Sequence, residues 1–123
     1  MEQHFKSEKS QIEKFLKKIK KIINDEKFDI NKQFILDKRK NDFSNSIYSN
    51  LNTILYLQYS LKDVVNELKE LTFQDYYETI IDVVGKECLL YVFKKKIKGE
   101  NIYIKLTIRR EKIIFCISFH ISK

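Results

Sequence analysis

The 123-residue chain contains no proline and only two glycines. The residues that usually punctuate a chain therefore mark no linker, and the length suits one domain over 1–123. Cysteine and histidine are equally scarce: Cys88, Cys116, His4 and His120 are all there are. They lack zinc-site spacing, so the expectation is no metal and no cofactor, with both cysteines as free buried thiols. No stretch approaches the roughly 18 apolar residues of a membrane helix. The opening "MEQHFKSEKSQIEKF" has no apolar signal-peptide core. A cytoplasmic location without a membrane partner is expected.

What is present is apolar content and charge. Hydrophobic residues make up 43% of the chain and aromatic ones 13%, enough to build a core. The net charge is +7, unevenly placed. Residues 1–41 carry 12 Lys/Arg against 7 Asp/Glu, residues 42–85 carry 2 against 7, and residues 86–123 carry 10 against 3. Two basic blocks around an acidic one suggest a surface for a polyanion. The competing reading is a lysine-rich solvated surface.

The apolar periodicity divides the chain. Ile12, Phe15, Leu16, Ile19, Ile22 and Ile23 form a helical stripe over 8–24, backed by Lys17, Lys18, Lys20 and Lys21. "KFDINKQFIL" (27–36) reads as a short strand and "DKRKN" (37–41) as a basic turn. A helix is expected over about 43–57 on Ile47, Leu51 and Ile54. Another is expected over about 61–70, where Ser60 and Asp63 give a capping signal. Thr72 and Asp75 repeat that signal for a helical turn holding Tyr76 and Tyr77. From Glu87 the period changes to two, and three strands follow as a meander: "ECLLYVFKKKI", "IYIKLTIRR" and "EKIIFCISFHI". Helices before strands predict an α+β fold, with N-terminal helices on one face of a C-terminal antiparallel sheet.

The last two strands carry the chemistry. One alternating set is core: Ile102, Ile104, Leu106 and Ile108, then Ile113, Phe115, Ile117 and Phe119. The other set holds Tyr103, Lys105, Thr107 and Arg109, then Ile114, Cys116, Ser118 and His120. A hairpin turning at Arg110-Glu111, or through a four-residue loop in the same register, would place Ile104 opposite Ile117 and Leu106 opposite Phe115. Tyr103 would then face Ser118, Lys105 would face Cys116, and His120 would lie diagonal to Tyr103. Cleaving RNA without a metal requires a base for the 2′-hydroxyl, a cation for the phosphorane and an acid for the leaving oxygen. His120 exchanges protons near neutral pH, Tyr103 can donate one, and Lys105 and Arg109 can hold phosphate. Lys38, Arg39, Lys94, Lys95 and Lys96 are further RNA-binding candidates. An exposed strand with a covering tyrosine is the plainer alternative.

The run "SLKDVVNELKELTFQDYYE…YVFKKKIKGENIYIKLTIRREKIIFCISFH" resembles the MqsR-like toxins of type II toxin–antitoxin systems, within the RelE-like mRNA interferases. The resemblance covers about residues 60–121. It implies a helix-backed antiparallel sheet and metal-independent mRNA endoribonuclease activity that arrests growth. It also implies neutralisation by an antitoxin from an adjacent gene, with the ribosome as a further candidate partner. By position it assigns the catalytic roles to Tyr103, Lys105 and His120. The chain departs from the family pattern at Glu78, where better-known members carry a lysine, and near Leu90, where they carry a glutamine. These departures leave open a different residue set, a different sequence preference or lost activity. The rival functions are a non-catalytic RNA- or protein-binding regulator on the same scaffold and an immunity-type inhibitor. Inhibitors of basic nucleases tend to be acidic, and a pI near 9.3 argues against the last.

Overall fold

The computed structural model describes residues 2–37, 49–82 and 88–122; the side chains of Asp82 and Cys88 are not described. In chain order the elements are β1 (Glu2–Phe5), α1 (Lys9–Asn24), α2 (Ile30–Gln33), β2 (Phe34–Leu36), α3 (Asn50–Leu57) and α4 (Leu61–Lys69). A 3-10 turn (Phe73–Asp75) leads into β3 (Tyr76–Asp82), β4 (Cys88–Ile97), β5 (Glu100–Arg109) and β6 (Ile113–Ile121). The strands form one sheet in the order β1-β3-β4-β5-β6-β2. Every pairing is antiparallel except β2 with β6. The α+β expectation holds, with helices backing the C-terminal strands.

The stripe on α1 does what its spacing predicts. Ile12, Phe15, Leu16 and Ile19 are buried, and the Phe15 ring meets Tyr91 at 4.3 Å and Phe93 at 6.3 Å between centroids. Each such side chain removed from water contributes roughly 1.5–3 kcal/mol. Helix α4 starts where its capping signal lies. Ser60 Oγ accepts from Asp63 N, and Asp63 Oδ2 accepts from Ser60 N. The Ser60 contacts hold the Asp63 carboxyl below its usual range. Val64, Val65 and Leu68 of α4 fill the same core as Phe93, Ile102, Ile104, Leu106 and Phe119.

Three elements differ from the sequence reading. Within 27–36 the chain forms the short helix α2 before β2, because Asp29 caps it through Asn31 N. Tyr76 and Tyr77 belong to β3, beyond the 3-10 turn that Thr72 and Asp75 do cap. Strand β1 was not expected at all. It is tied down where the chain enters α1: Ser7 N donates to the Tyr76 hydroxyl at 2.9 Å, and the Ser7 hydroxyl lies 2.7 Å from that of buried Thr79. The first part of the helix expected over 43–57 lies outside the described residues; α3 covers 50–57.

The β5–β6 register also differs. Arg110 and Glu111 both take left-handed backbone, at φ 54° and 62°, and Lys112 N closes the loop on Arg109 O. Three loop residues put Arg109 opposite Ile113, Ile108 opposite Ile114 and Leu106 opposite Cys116. The register then slips by one, so that Lys105 meets Ser118, Ile104 meets Phe119 and Tyr103 meets His120. Ile117 is the extra residue of this bulge. The inward residues of β6 are thus Ile114, Cys116, Phe119 and Ile121, all buried. Ile113, Phe115 and Ile117, expected in the core, are only half-buried. "IIFCI" is apolar at every position, so alternation alone offers no parity there.

Helix α3 holds this strand from the side. Asn50 is buried and donates from Nδ2 to Ile117 O at 2.9 Å and to Asp37 O at 3.0 Å, while its Oδ1 accepts from Phe119 N at 2.9 Å. Thr53 Oγ1 accepts from Ile121 N at 3.0 Å. Strand β2 pairs with β6 only over 114–116. Beyond that point, helix side chains supply hydrogen bonds that a strand otherwise would, as buried backbone groups require.

Candidate functional site

The helices α1 and α4 pack on the face of β4 and β5 that presents Tyr91, Phe93, Lys95 and Ile97. The opposite face presents Val92, Lys94 and Lys96 from β4 and Tyr103 and Lys105 from β5, because successive residues alternate. Two ladder rows cross that outer face. In one, Lys94 is opposite Tyr103 and Tyr103 is opposite His120. In the other, Glu78, Val92, Lys105 and Ser118 follow in register across β3 to β6.

His120 and Tyr103 are in direct contact. Their rings stack with centroids 5.3 Å apart and planes 18° from parallel. The three-residue loop and the register shift together produce this pairing, since a two-residue turn would have left them diagonal. His120 Nδ1 is 3.1 Å from Ile121 O. A carbonyl only accepts, so Nδ1 is the donor in that contact. Backbone amides on both sides of His120, those of Phe119 and Ile121, are the two that α3 holds. The imidazole is thus aimed by a strand fixed from beside it.

The lysines separate into two groups. Lys94 and Lys96 project on the outer face with Tyr103, and an open hollow of about 300 Å³ is bordered by Lys94, Lys95, Lys96, Asn101 and Ser122. Lys95 faces the helices, where its Nζ lies 3.0 Å from Glu67 Oε1. Glu67 also accepts from the Tyr59 hydroxyl at 2.5 Å. Arg109 stands at the turn end, its guanidinium 3.9 Å from the Phe115 ring centroid, away from the Tyr103–His120 stack. Lys38 and Arg39 lie outside the described residues. Among the described residues no three His, Cys, Asp or Glu gather as metal ligands. Cys116 is fully buried, and burial pushes its thiol well above the ordinary range, so it is a core group.

Sequence reasoning missed one side of this face. His4, on β1, has Nδ1 2.8 Å from Glu78 Oε2. Lys6 donates to Tyr77 O and lies 5.0 Å from the Tyr77 ring centroid, while Lys94 Nζ lies 3.7 Å from it. Tyr77 is the extra residue where the β3–β4 register shifts, and it is exposed. The missed signal was "YETIID", a β-branched and aromatic run that reads as a strand. "EQHF" is too short and polar to announce one. Glu78, a departure from the family pattern, thus stands on the outer face, two strands from Lys105. Leu90 pairs with Ile80.

The fold and face define an α+β protein with a cationic, aromatic outer sheet surface bearing two imidazoles. Residues 13–121 match the family described as "Motility quorum-sensing regulator, toxin of MqsA". The chain belongs to this MqsR toxin family, and so to the toxins of toxin–antitoxin systems. Comparison with curated proteins gives no match. No described helix is long and apolar enough to cross a membrane.

Proposed function

We propose that the protein is an endoribonuclease toxin that cuts mRNA by metal-independent transesterification in the cytoplasm, and that an MqsA-type antitoxin restrains it. The observation that carries this reading is the stacked Tyr103–His120 pair on a sheet face that also presents Lys94 and Lys105. The 2′-hydroxyl gives its proton to His120 Nε2 as its oxygen bonds to phosphorus. Lys105 and Lys94 balance the charge that gathers on the phosphorane. Tyr103 orients His120 through the ring contact and offers a hydroxyl to the phosphate. The phosphorus–5′-oxygen bond then breaks, and the leaving oxygen takes its proton from the Tyr103 hydroxyl, leaving a 2′,3′-cyclic phosphate and a 5′-hydroxyl. Lys96 extends the cationic track, and Arg109 serves RNA further along the strand.

The test is cleavage of RNA by purified protein, with 5′-end mapping and growth after induction. His120→Ala lowers the rate on the order of 10²–10⁴-fold, the usual share of one proton-transfer group. Tyr103→Phe and Lys105→Ala lower it less. RNA association weakens steeply with salt, because lysines displace phosphate counterions. Tight, salt-sensitive binding with no cleavage would instead make the protein an RNA-binding regulator. A folded His120→Ala protein with full activity removes this mechanism.

A further inference from the structure

Positive charge is not confined to the outer face. On α1, Lys14, Lys18 and Lys21 fall at i, i+4 and i+7, which stacks them along one side of the helix. That side looks onto the β5–β6 turn. Lys18 Nζ lies 2.9 Å from Glu111 Oε2. Lys18, and after it Lys14, hold the Glu111 carboxyl below its usual range. Gln33 Nε2, at the end of α2, donates to Lys112 O at 3.1 Å. These contacts fix the turn against the helix layer, and an open hollow of about 500 Å³ lies there. Lys18, Lys21, Lys27 and Lys112 border it, with Asp25 and Glu111 as its two carboxylates.

Both carboxylates are engaged. Glu111 takes Lys18, and Asp25 Oδ1 accepts from Lys27 N at 2.8 Å. Lys21, Lys27 and Lys112 make no ion pair with any described residue. The hollow therefore suits a ligand with several negative charges. A protein partner would need apolar or aromatic anchors. None of the exposed large hydrophobic side chains borders the hollow, and Ile22 is the one apolar residue that does. A nucleic-acid backbone is held chiefly by charge. The hollow also continues the outer face. Tyr103, Lys105, Thr107 and Arg109 alternate along that face of β5, and the six residues from Tyr103 to Arg109 span about 20 Å. Arg110 and Lys112 are exposed on the turn just beyond.

We propose that the hollow between α1 and the β5–β6 turn is a second RNA subsite. It takes the phosphate backbone of a strand that leaves the Tyr103–His120 stack along β5 and rounds the turn at Arg109 and Arg110. This rests on the ribonuclease reading above. The subsite lies too far from the stack to act on bond breaking. It binds substrate and transition state alike, so it lowers KM without raising kcat. It also makes the protein prefer long RNA, because only a strand extended beyond the scissile phosphate reaches both places.

The test compares an RNA of about 4 nucleotides around a mapped cut with two of about 16, one extended on the 5′ side and one on the 3′ side. Wild type, Lys21→Gln/Lys112→Gln and a control, Lys62→Gln/Lys69→Gln on α4, are assayed for kcat, KM and affinity across salt, with thermal melts to check folding. On one of the long RNAs the Lys21/Lys112 variant is expected to raise KM about tenfold at unchanged kcat. Its plot of log affinity against log salt should be shallower there by about 1. On the short RNA it should match wild type, and the control should match wild type on all three. If the folded Lys21/Lys112 variant equals wild type on both long RNAs, or loses equally on long and short, the inference is overturned while the ribonuclease reading stands. If a poly-glutamate peptide loses affinity in that variant and the long RNAs do not, the hollow belongs to an acidic protein and the RNA subsite is overturned. A wild-type protein that cuts no RNA overturns both.

Discussion

Two hairpins share β5, and they keep register by different means. In the β4–β5 hairpin one register runs unbroken from Tyr91 opposite Leu106 to Ile97 opposite Glu100. A two-residue loop, Lys98-Gly99, closes it with both residues in left-handed backbone, at φ 51° and 84°. That is the loop chemistry hairpins favour. The β5–β6 hairpin closes on Arg110, Glu111 and Lys112, with no glycine, and shifts register in its middle. The first hairpin sets its pairing from its turn. The second is held from outside, by Asn50 and Thr53 of α3 and by β2. The catalytic candidates sit where the externally held strand meets β5.

The comparison breaks most sharply at Asn50. Asn50→Ala removes the Asn50 bonds to buried Phe119 N and to part-buried Ile117 O and Asp37 O. Each unsatisfied group costs about 1–3 kcal/mol. We expect a loss of about 3 kcal/mol or more in urea unfolding, together with slower RNA cleavage from a misaimed His120. The β4–β5 hairpin has its own tie, Lys95 and Tyr59 meeting on Glu67. Glu67→Ala is expected to cost about 1–2 kcal/mol by the same measurement, without changing the cleavage rate, because that tie lies on the helix side.

The loops sharpen the contrast with opposite signs. Gly99→Ala meets no atom within 4 Å but forces a side chain onto φ 84°, a loss of about 1 kcal/mol. Arg110→Gly relieves a side chain at φ 54° and is expected to stabilise by up to about 1 kcal/mol. Thermal melts read both. The smallest effect belongs to Tyr59, whose hydroxyl is pushed up from 10.0 to about 12 by burial first and then by its hydrogen bond to Glu67. The folded protein keeps that proton longer than the unfolded chain. The contribution is complete below pH 10 and is lost as pH rises through about 12. Tyr59→Phe should therefore flatten the alkaline fall in stability relative to wild type.

These residues also show what the sequence made legible. The α1 stripe, the Ser60–Asp63 cap and the three C-terminal strands were readable, because each is a local pattern with a local cause. So was the outer face of β5, where polar and apolar residues alternate cleanly. The β6 register was not. Its first half is apolar on both faces, and the shift that corrects it is held by Asn50, far away in sequence. The placement of His120 opposite Tyr103 depended on that distant contact. Strand β1 escaped because four polar-flanked residues become a strand only when β3 offers its edge, and with it went the His4–Glu78 contact.

The bulge at Ile117 has a consequence for chain length. Elsewhere in β5 or β6, losing one residue turns every side chain beyond the cut to the wrong side of the sheet. At Ile117 it does not. Cys116 is already opposite Leu106, and Ser118 is already opposite the next residue, Lys105. Removing Ile117 closes the strand into plain alternation and leaves His120 opposite Tyr103. In a scan of single deletions along this hairpin, the gap at Ile117 should be the one the protein survives with its outer face intact. β6 carries one spare letter, and the fold marks where it is.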